Sequence, residues 1–429
     1  MPRIGNSRAC DDSVRVAVLG SEIKGRTSIM ELHVRTAVVP RRHVSLHFLG
    51  DEGVLFDAGA QRIYAINTTA TYIWCCLEEE LSPARIAERL NSAFGLAKSE
   101  AISYVNDIID RWRQLRVVSD AHASFEFPSQ RAISRTSSHP PRKSRPRERA
   151  AAEREVRLLD TNFRIRFFSE SLLTLTAPFL APLAAPQRAD NTMVLDLVLE
   201  RENYALYAGG RRVGHADRID QVVPMVKASL VCLMLERSDD FCAIHAASVA
   251  RDGRCILLPG CSGSGKSTLA AAMVGAGMRL LGDDTAVLDR DTLAARPVPF
   301  SICLKSGSWE LLARQFPDLV RQPIHGRLDG KRVRYLLPAA EGICTDPSAQ
   351  HSVRAIVFPN RRPGAAGALH PIARTEALSR LFKFFYPLAE GLDPAKVERL
   401  LAWITVVDCY ELRFSSLDDA TRLLGGLCP

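Results

Sequence analysis

The sequence lacks any pair of cysteines in C-x-x-C spacing, although it contains eleven cysteines in 429 residues. An odd number of cysteines, most of them in apolar runs, does not suit a disulfide framework or a zinc site. The first forty residues also lack the charged start, apolar stretch and cleavage site of a secretory signal. These absences predict free thiols in a reducing cytoplasm.

Long apolar runs are missing as well. The longest, at residues 172–186, is about fifteen residues long and is interrupted by three prolines. A helix that crosses a bilayer needs about 20 consecutive, mostly apolar residues. We therefore expect no membrane partner.

The chain has a net charge of +8, but most of the excess lies in one segment. Residues 131–157 contain nine basic and three acidic residues, and within them residues 137–147 have almost no apolar side chains. Such a composition cannot bury a core and predicts a disordered linker, which we place at residues 121–155. Binding of this segment to an anionic surface is the alternative.

The region before the linker divides in two. Residues 1–43 show little periodicity and are interpreted as an extension of undetermined order. Residues 44–120 predict three helices, of which the first two begin at Asn67 and at the Ser82-Pro83 pair, both helix-start signals. Apolar residues between turn signals predict three strands, at residues 44–48, 54–56 and 62–65. Three strands and three helices in this length form a small winged-helix-like domain.

Several of these segments resemble the PqqD family of peptide chaperones. The resemblance is carried by residues 53–57 (GVLFD), 63–70 (IYAINTTA) and 73–74 (IW). It implies a module that recognises precursor peptides and grips their leader along the edge of the third strand and against the third helix. In this sequence those elements correspond to residues 61–65 and 102–112.

A winged helix also occurs in DNA-binding proteins. Residues 44–120 contain seven basic and eleven acidic residues, and DNA binding draws much of its affinity from the neutralisation of phosphates. An acidic domain therefore disfavours DNA as a partner. A purely structural role remains the other alternative to peptide binding.

A phosphate-binding motif stands in the second half of the chain. An apolar run at residues 255–258 predicts a buried strand, and residues 260–267 match G-x-x-x-x-G-K-[ST] ahead of a predicted helix. In such a loop Lys266 reaches the β and γ phosphates of ATP, and the Ser267 hydroxyl binds Mg²⁺. The predicted nucleotide-binding residues are Gly260, Cys261, Ser262, Gly263, Ser264, Gly265, Lys266, Ser267 and Thr268.

Two neighbouring segments add candidate catalytic residues. Asp252-Gly253 between apolar runs predicts a tight hairpin, and counting outward along it places His245 opposite Gly260, at the mouth of the loop. After the helix, a predicted strand ends in Asp283-Asp284. Carboxylates at this point suit a Mg²⁺ ligand and a base for an attacking hydroxyl.

This constellation resembles the HPr kinase/phosphorylase family and its HPr-kinase-related branch, which share the fold of the phosphoenolpyruvate carboxykinases. The likeness is carried by residues 244–246 (IHA), 258–268 (LPGCSGSGKST) and 281–284 (LGDD). It implies that Asp283 is the general base, that His245 orients it, and that Asp284 lies near the metal. Thr268 departs from the glutamate that often follows in HPr kinases, which disfavours HPr as the acceptor.

A cation that stabilises the transferring phosphoryl group is also expected. Residues 330–338 resemble a segment of the HPr-kinase-related branch and offer Lys331, Arg332 and Arg334. Arg361 and Arg362, after an apolar strand, are further candidates. The alternative for each of these residues is an ordinary charged side chain at the surface.

The sequence as a whole therefore predicts an α/β protein: an HPr kinase/PEP carboxykinase-like P-loop domain at 156–429, with a small PqqD-like domain at 44–120. We expect an ATP- and Mg²⁺-dependent kinase acting on serine or threonine of a precursor peptide or small acceptor protein. The linker would tether the peptide module without fixing its geometry. An HPr-like carrier, free serine or a saccharide component as acceptor, a non-enzymatic ATP-gated chaperone, and a homo-oligomer all stay open.

Overall fold

The computed structural model describes residues 18–19, 38–120, 149–185, 191–386 and 391–429. Residues 38–120, here called the N-terminal unit, form a small sheet covered by three helices. With the short strand that precedes them, the elements are β1 (Val18–Leu19), β2 (Val38–Pro40), β3 (Val44–Leu49), β4 (Glu52–Asp57), β5 (Arg62–Ile66), α1 (Thr68–Glu78), α2 (Pro83–Phe94), α3 (Lys98–Gln114) and β6 (Val118–Asp120).

Local signals set the helix starts in this unit. The Asn67 side chain accepts a hydrogen bond from the Ala70 N–H, and the Ser82 hydroxyl accepts one from Arg85. These caps satisfy N–H groups that have no partner inside a helix. Helix α2 ends at Gly95 with φ +67°, a left-handed conformation that favours glycine. The three strands and three helices predicted for residues 44–120 are confirmed.

Residues 149–429 form the C-terminal unit, which opens with a five-stranded sheet in the order β11-β10-β9-β8-β7. Two helices cover one face of this sheet, and their apolar side chains share its buried core. The elements are β7 (Ala152–Leu158), β8 (Thr161–Phe167), α4 (Glu170–Leu180), β9 (Thr192–Glu200), β10 (Asn203–Ala208), β11 (Arg211–Ala216) and α5 (Val222–Leu235).

The rest of the unit is built on a six-stranded sheet in the order β15-β13-β14-β21-β23-β22, with two three-stranded sheets at its side. Its elements are β12 (Cys242–Ile244), β13 (Ala246–Arg251), β14 (Arg254–Pro259), α6 (Lys266–Gly275), β15 (Arg279–Gly282), β16 (Ala286–Leu288), β17 (Ala295–Arg296), β18 (Ile302–Lys305), α7 (Trp309–Leu312), β19 (His325–Gly326), β20 (Arg332–Leu336), β21 (Ser352–Arg361), β22 (Ala368–Pro371), α8 (Arg374–Phe382), α9 (Pro394–Val406), β23 (Asp408–Phe414) and α10 (Leu417–Gly425).

The central strand β14 is buried on both faces because its side chains are all apolar after Arg254. Cys255 and Leu257 pack toward α8 and α9, whereas Ile256 and Leu258 pack toward α6 and α10. Strands β14, β21 and β23 run parallel, so their carboxyl ends meet at one edge of the sheet. The P-loop follows β14 at that edge, where open α/β sheets bind their ligands.

The N-terminal unit packs directly on the C-terminal unit. Val54, Phe56 and Ile63, on one face of the N-terminal sheet, belong to the same buried cluster as α8 and α9. Leu55 and Tyr64, on the opposite face, are buried against α1 and α3. From the sequence we expected a tether that leaves the relative geometry of the two units free. The shared cluster instead holds them together.

The described residues refine the predicted boundaries. Strand β7 begins at Ala152, inside the segment assigned to the linker at 121–155, and β2 lies inside the predicted extension at 1–43. Residues 121–148 fall outside the described part, so the disordered linker stays a prediction. Among the described residues, no helix is long and apolar enough to cross a membrane.

Candidate active site

The P-loop lies between β14 and α6, as the sequence predicts. Gly263 and Gly265 both have φ +97°, which only glycine adopts without strain, and Gly265 is the residue that caps α6. At Gly260 an added Cβ would lie 2.6 Å from the Ser264 hydroxyl. Gly263 and Gly265 are therefore required by the path of the backbone, whereas Gly260 gives room to the Ser264 side chain.

The predicted hairpin brings His245 to this loop. Strands β13 and β14 pair through Asp252 and Gly253, with Ala246 opposite Pro259. His245 and Gly260 are the next residues beyond this pair. The Lys266 ammonium donates to the Gly260 carbonyl at 2.6 Å and lies 3.3 Å from His245 Nε2. The structure thus places His245 beside the P-loop lysine.

Contacts of the other ring nitrogen indicate the tautomer of His245. Its Nδ1 lies 2.9 Å from the Asp284 backbone carbonyl, an oxygen that can only accept. A proton on Nδ1 leaves Nε2 as the acceptor for Lys266. Burial, with the charge of Lys266, lowers the pKa of His245, and the neutral form is therefore favoured. The Tyr386 hydroxyl donates to the same carbonyl at 3.1 Å.

The two aspartates differ in environment. Asp283 is fully buried, its Oδ2 accepts the Cys303 N–H at 2.7 Å, and its Oδ1 has no hydrogen-bond partner. Burial, together with the charge of Asp284, raises the pKa of Asp283. Burial would do the same to Asp284, but Lys227 and Lys266 outweigh it and hold the pKa of Asp284 below its usual range. Asp283 is therefore suited to accept a proton, whereas Asp284 stays negatively charged.

Lys227 is a site residue that the sequence analysis missed. It comes from α5, and its ammonium lies 3.5 Å from Asp284 and 3.9 Å from Asp283. Burial lowers the pKa of Lys227, but the two carboxylates outweigh burial and raise it. The charged partner of Asp283 is thus Lys227, and His245, expected from the resemblance to orient Asp283, contacts the Asp284 carbonyl and Lys266. A single lysine among the apolar residues 222–235 was the available signal.

The three predicted phosphate-stabilising cations separate in the structure. Arg334 stacks on Trp309 at 4.2 Å from the ring centre, and Arg332 is exposed. Lys331 pairs with Asp329 at 3.2 Å and contributes to the electrostatic field at Lys305. The charge of Lys331 thus acts on Lys305, whose ammonium contacts the P-loop at Ser262.

Arg327 and Lys305 supply cations that the sequence analysis did not propose. The Lys305 ammonium donates to the Ser262 hydroxyl of the loop at 2.7 Å. Burial lowers the pKa of Lys305, and the charges of Lys331 and Arg327 lower it further. Arg327 also acts electrostatically on Asp284. Such a concentration of positive charge suits a polyphosphate ligand.

The residues present fit a bound nucleotide and Mg²⁺. Ser264 Oγ in the loop and Asp283 Oδ1 are buried polar atoms without a hydrogen-bond partner, which calls for a ligand because such atoms are costly to leave unpaired. Ser267 lies next to Asp283, and its hydroxyl helps to lower the pKa of that carboxyl. Hydroxyl and carboxylate oxygens are the ligands that Mg²⁺ prefers.

In the N-terminal unit, the edge assigned to a leader peptide already carries a strand. β1 runs parallel to β5, with Val18 opposite Ala65 and Leu19 opposite Ile66. At the other end of this segment, the Gln61 side chain bonds to the backbone of Leu392 in the C-terminal unit. Part of the predicted peptide-binding edge is therefore engaged within the chain.

Proline at both β1 positions (Val18→Pro with Leu19→Pro) will release this edge, because proline cannot donate to a strand ladder. We expect amide hydrogen exchange at Ala65 and Ile66, the residues opposite β1, to become roughly tenfold faster, as for a backbone that opens locally. The matched control is alanine at both positions, which keeps the backbone donors and the slow exchange. Equal exchange in the two variants would contradict the pairing.

Residues 52–118 match the family model described as coenzyme PQQ synthesis protein D (PqqD). The chain contains a PqqD domain. The match confirms the resemblance predicted for residues 44–120, and the α/β fold class with a small PqqD-like domain is confirmed as well. The PqqD domain runs from the start of β4 to the start of β6. No curated protein matches the chain.

Solved structures share similarity with parts of the chain. TbiB1 in complex with the TbiA(beta) leader peptide is 16% identical with a TM-score of 0.19, over 20% of this chain and 99% of its own. Lasso peptide synthetase B1 with its leader peptide is 20% identical with a TM-score of 0.19, over 19% and 98%. The HPr(Ser) kinase/phosphatase from Coxiella burnetii is 13% identical with a TM-score of 0.21, over 43% and 92%. At these values, only the residues of the site itself indicate a function.

Proposed function

We propose that this chain is an ATP- and Mg²⁺-dependent kinase that phosphorylates a serine or threonine hydroxyl of a peptide captured by the PqqD domain. The observation that carries the proposal is the placement of the buried Asp283-Asp284 pair beside the P-loop, with Ser267 next to Asp283 and the Lys227 ammonium 3.5 Å from Asp284. A base with a raised pKa next to a phosphate loop is what transfer to an un-ionised hydroxyl needs.

Each residue then has a defined task. The loop N–H groups and Lys266 bind the phosphates of ATP, and Asp283 accepts the proton of the acceptor hydroxyl. The hydroxyl oxygen forms a bond to the γ-phosphorus while the bond to the β,γ-bridging oxygen breaks, and ADP leaves. Ser267 and Asp284 would hold Mg²⁺, which when bound neutralises charge on the β and γ phosphates. His245 keeps the Lys266 ammonium in place through Nε2.

The PqqD domain supports a peptide as the acceptor. In its sheet, β5 already pairs with the extended segment β1 at Ala65 and Ile66, and the addition of an extended strand in this way is how many peptide-binding modules work. The domain packs against the same unit that carries the phosphate site. A peptide held at this domain would therefore be presented at high local concentration to the Asp283 carboxylate.

The deciding experiment is incubation of the full chain with ATP labelled on the γ-phosphate and three acceptors in separate reactions. The acceptors are a serine-containing peptide that binds the PqqD domain, an HPr-like carrier protein and free serine. We expect label on the peptide, an increase of about 80 Da and no label on its Ser→Ala counterpart. If only the carrier protein or only free serine is labelled, that molecule replaces the peptide as the proposed acceptor. ATP-dependent peptide binding without label would establish the chaperone alternative.

Arg327, whose charge acts on Asp284, is the cation that we assign to the transferring phosphoryl group, and Arg327→Ala should lower kcat roughly 100-fold or more because such a cation stabilises charge that develops in the transition state. Arg332→Ala is the matched control and should leave kcat within twofold, since Arg332 is exposed on β20. Steady-state kinetics of ATP-dependent phosphorylation measure both variants. A larger loss in Arg332→Ala than in Arg327→Ala would reverse the assignment.

A further inference from the structure

The N-terminal sheet contacts helix α8, and the segment that follows this helix contacts His245. Strand β5 packs on α8, and Val54, Phe56 and Ile63 share a buried cluster with Leu378 and Leu381 of that helix. A close-packed core does not deform continuously, so the residues that share it move together. The position of α8 is therefore tied to the position of the sheet.

Polar contacts fix the same interface. The Glu52 carboxylate accepts a hydrogen bond from the Thr375 hydroxyl in the first turn of α8. Gln61 bonds twice to Leu392, accepting its N–H at 2.6 Å and donating to its carbonyl at 3.0 Å. The fit is close, since a Cβ on Gly391 would lie 2.6 Å from Gln61 Oε1. Two bonds from one side chain to one residue specify a single docking geometry.

At its other end α8 continues into the active site. The Phe384 carbonyl accepts the His245 N–H at 2.7 Å, and the Tyr386 N–H donates to the Ala243 carbonyl at 2.9 Å. These bonds hold residues 384–386 beside strand β12. The Tyr386 hydroxyl then lies 3.2 Å from His245 Nδ1 and 3.1 Å from the Asp284 carbonyl. Burial raises the pKa of Tyr386 to about 12, so the phenol keeps its proton.

We propose that Tyr386 is a positioning residue for His245, and that the docked N-terminal sheet holds Tyr386 in place through α8. The proposal deepens the proposed kinase function, on which its kinetic readout depends. It gives the PqqD domain a second role besides capturing a peptide. A change at the sheet, such as the arrival of a peptide at β5, would alter how firmly the imidazole is held against Lys266 and Asp284.

The test compares Gln61→Ala, Tyr386→Phe and the double variant in the full chain, with Arg85→Ala as control. Arg85 is an exposed residue of α2 whose side chain pairs with Glu88 of the same helix. We expect Gln61→Ala and Tyr386→Phe each to lower kcat roughly 5- to 10-fold, with KM for ATP within twofold. The double variant should be no slower than the slower single variant, because both changes break one chain of contacts.

A second measurement does not depend on kinase activity. In Gln61→Ala, hydrogen exchange over residues 243–246 should become roughly tenfold faster, since the His245 N–H is bonded to Phe384. Unchanged exchange there, or losses in kcat that multiply in the double variant, would overturn the proposal. If no acceptor is phosphorylated, the exchange result alone decides it.

Gln61→Glu guards against a general loss of folding. It keeps the size of the side chain and the acceptor for the Leu392 N–H, but places a carboxylate oxygen against the Leu392 carbonyl. The same direction of change in exchange and kcat is expected. Wild-type behaviour of Gln61→Glu in both measurements would also overturn the proposal.

Discussion

Asp283→Asn will lower phosphotransfer on the order of 10³-fold, the contribution of a well-placed general base. Asparagine has nearly the shape of aspartate, and its carbonyl oxygen can still accept the Cys303 N–H that now bonds to Asp283 Oδ2 at 2.7 Å. The amide, however, cannot accept the proton of the acceptor hydroxyl. The loss should appear in kcat, with ATP affinity within about threefold, because P-loop contacts to the phosphates are untouched.

Stability separates this outcome from a folding defect. Burial beside Asp284 raises the pKa of Asp283, so the negative charge of Asp283 lowers the free energy of unfolding. Asp283→Asn should therefore unfold at the same temperature as the wild type or higher. Asp318→Asn, at an exposed carboxylate, is the control that changes neither quantity. Phosphorylation of the peptide at the wild-type rate by Asp283→Asn would refute the role of general base.

Lys227→Met will destabilise the chain by about 3 kcal/mol, which corresponds to a fall of roughly 5 °C in Tm for a unit of this size. Methionine fills most of the space of the lysine, so the cost is electrostatic. Without the ammonium, the Asp283 and Asp284 carboxylates lose the counter-charge that lies 3.9 Å and 3.5 Å from them. Removing one partner of a buried ion pair leaves the other charge desolvated and uncompensated.

A second substitution tests that reason. Asp284→Asn added to Lys227→Met removes one of the two repelling charges and should recover more than half of the lost Tm. Lys383→Met, at an exposed lysine, should change Tm by no more than about 1 °C, as is usual for surface substitutions. Thermal unfolding followed by circular dichroism measures all three. No recovery in the double variant would mean that Lys227 stabilises by packing.

The sequence of β4 carries a signal for the contact between the two units. Val54, Leu55 and Phe56 are three successive apolar residues, and successive side chains of a strand point to opposite faces. A half-exposed sheet would alternate, whereas a continuous apolar run indicates burial on both faces. One face covers α1 and α3 and the other covers α8 and α9. The run predicts a second packing partner but not which segment provides it.

The sequence by itself determined the parts of this protein that depend on neighbouring residues. The P-loop glycines, the Asp252-Gly253 hairpin and the caps at Asn67 and Ser82 each act within a few residues of chain. Local backbone sterics and nearby hydrogen bonds suffice to specify them, so their patterns are readable.

Only the tertiary structure decided which distant side chains surround the phosphate loop. Lys227, Arg327 and Tyr386 come from separate segments and carry no motif. Arg334, which does lie in a family-like segment, instead stacks on Trp309. The partner of a buried charge is chosen by how helices and sheets pack, because desolvation makes any unpaired position costly. That choice depends on the whole fold, and a local pattern cannot contain it.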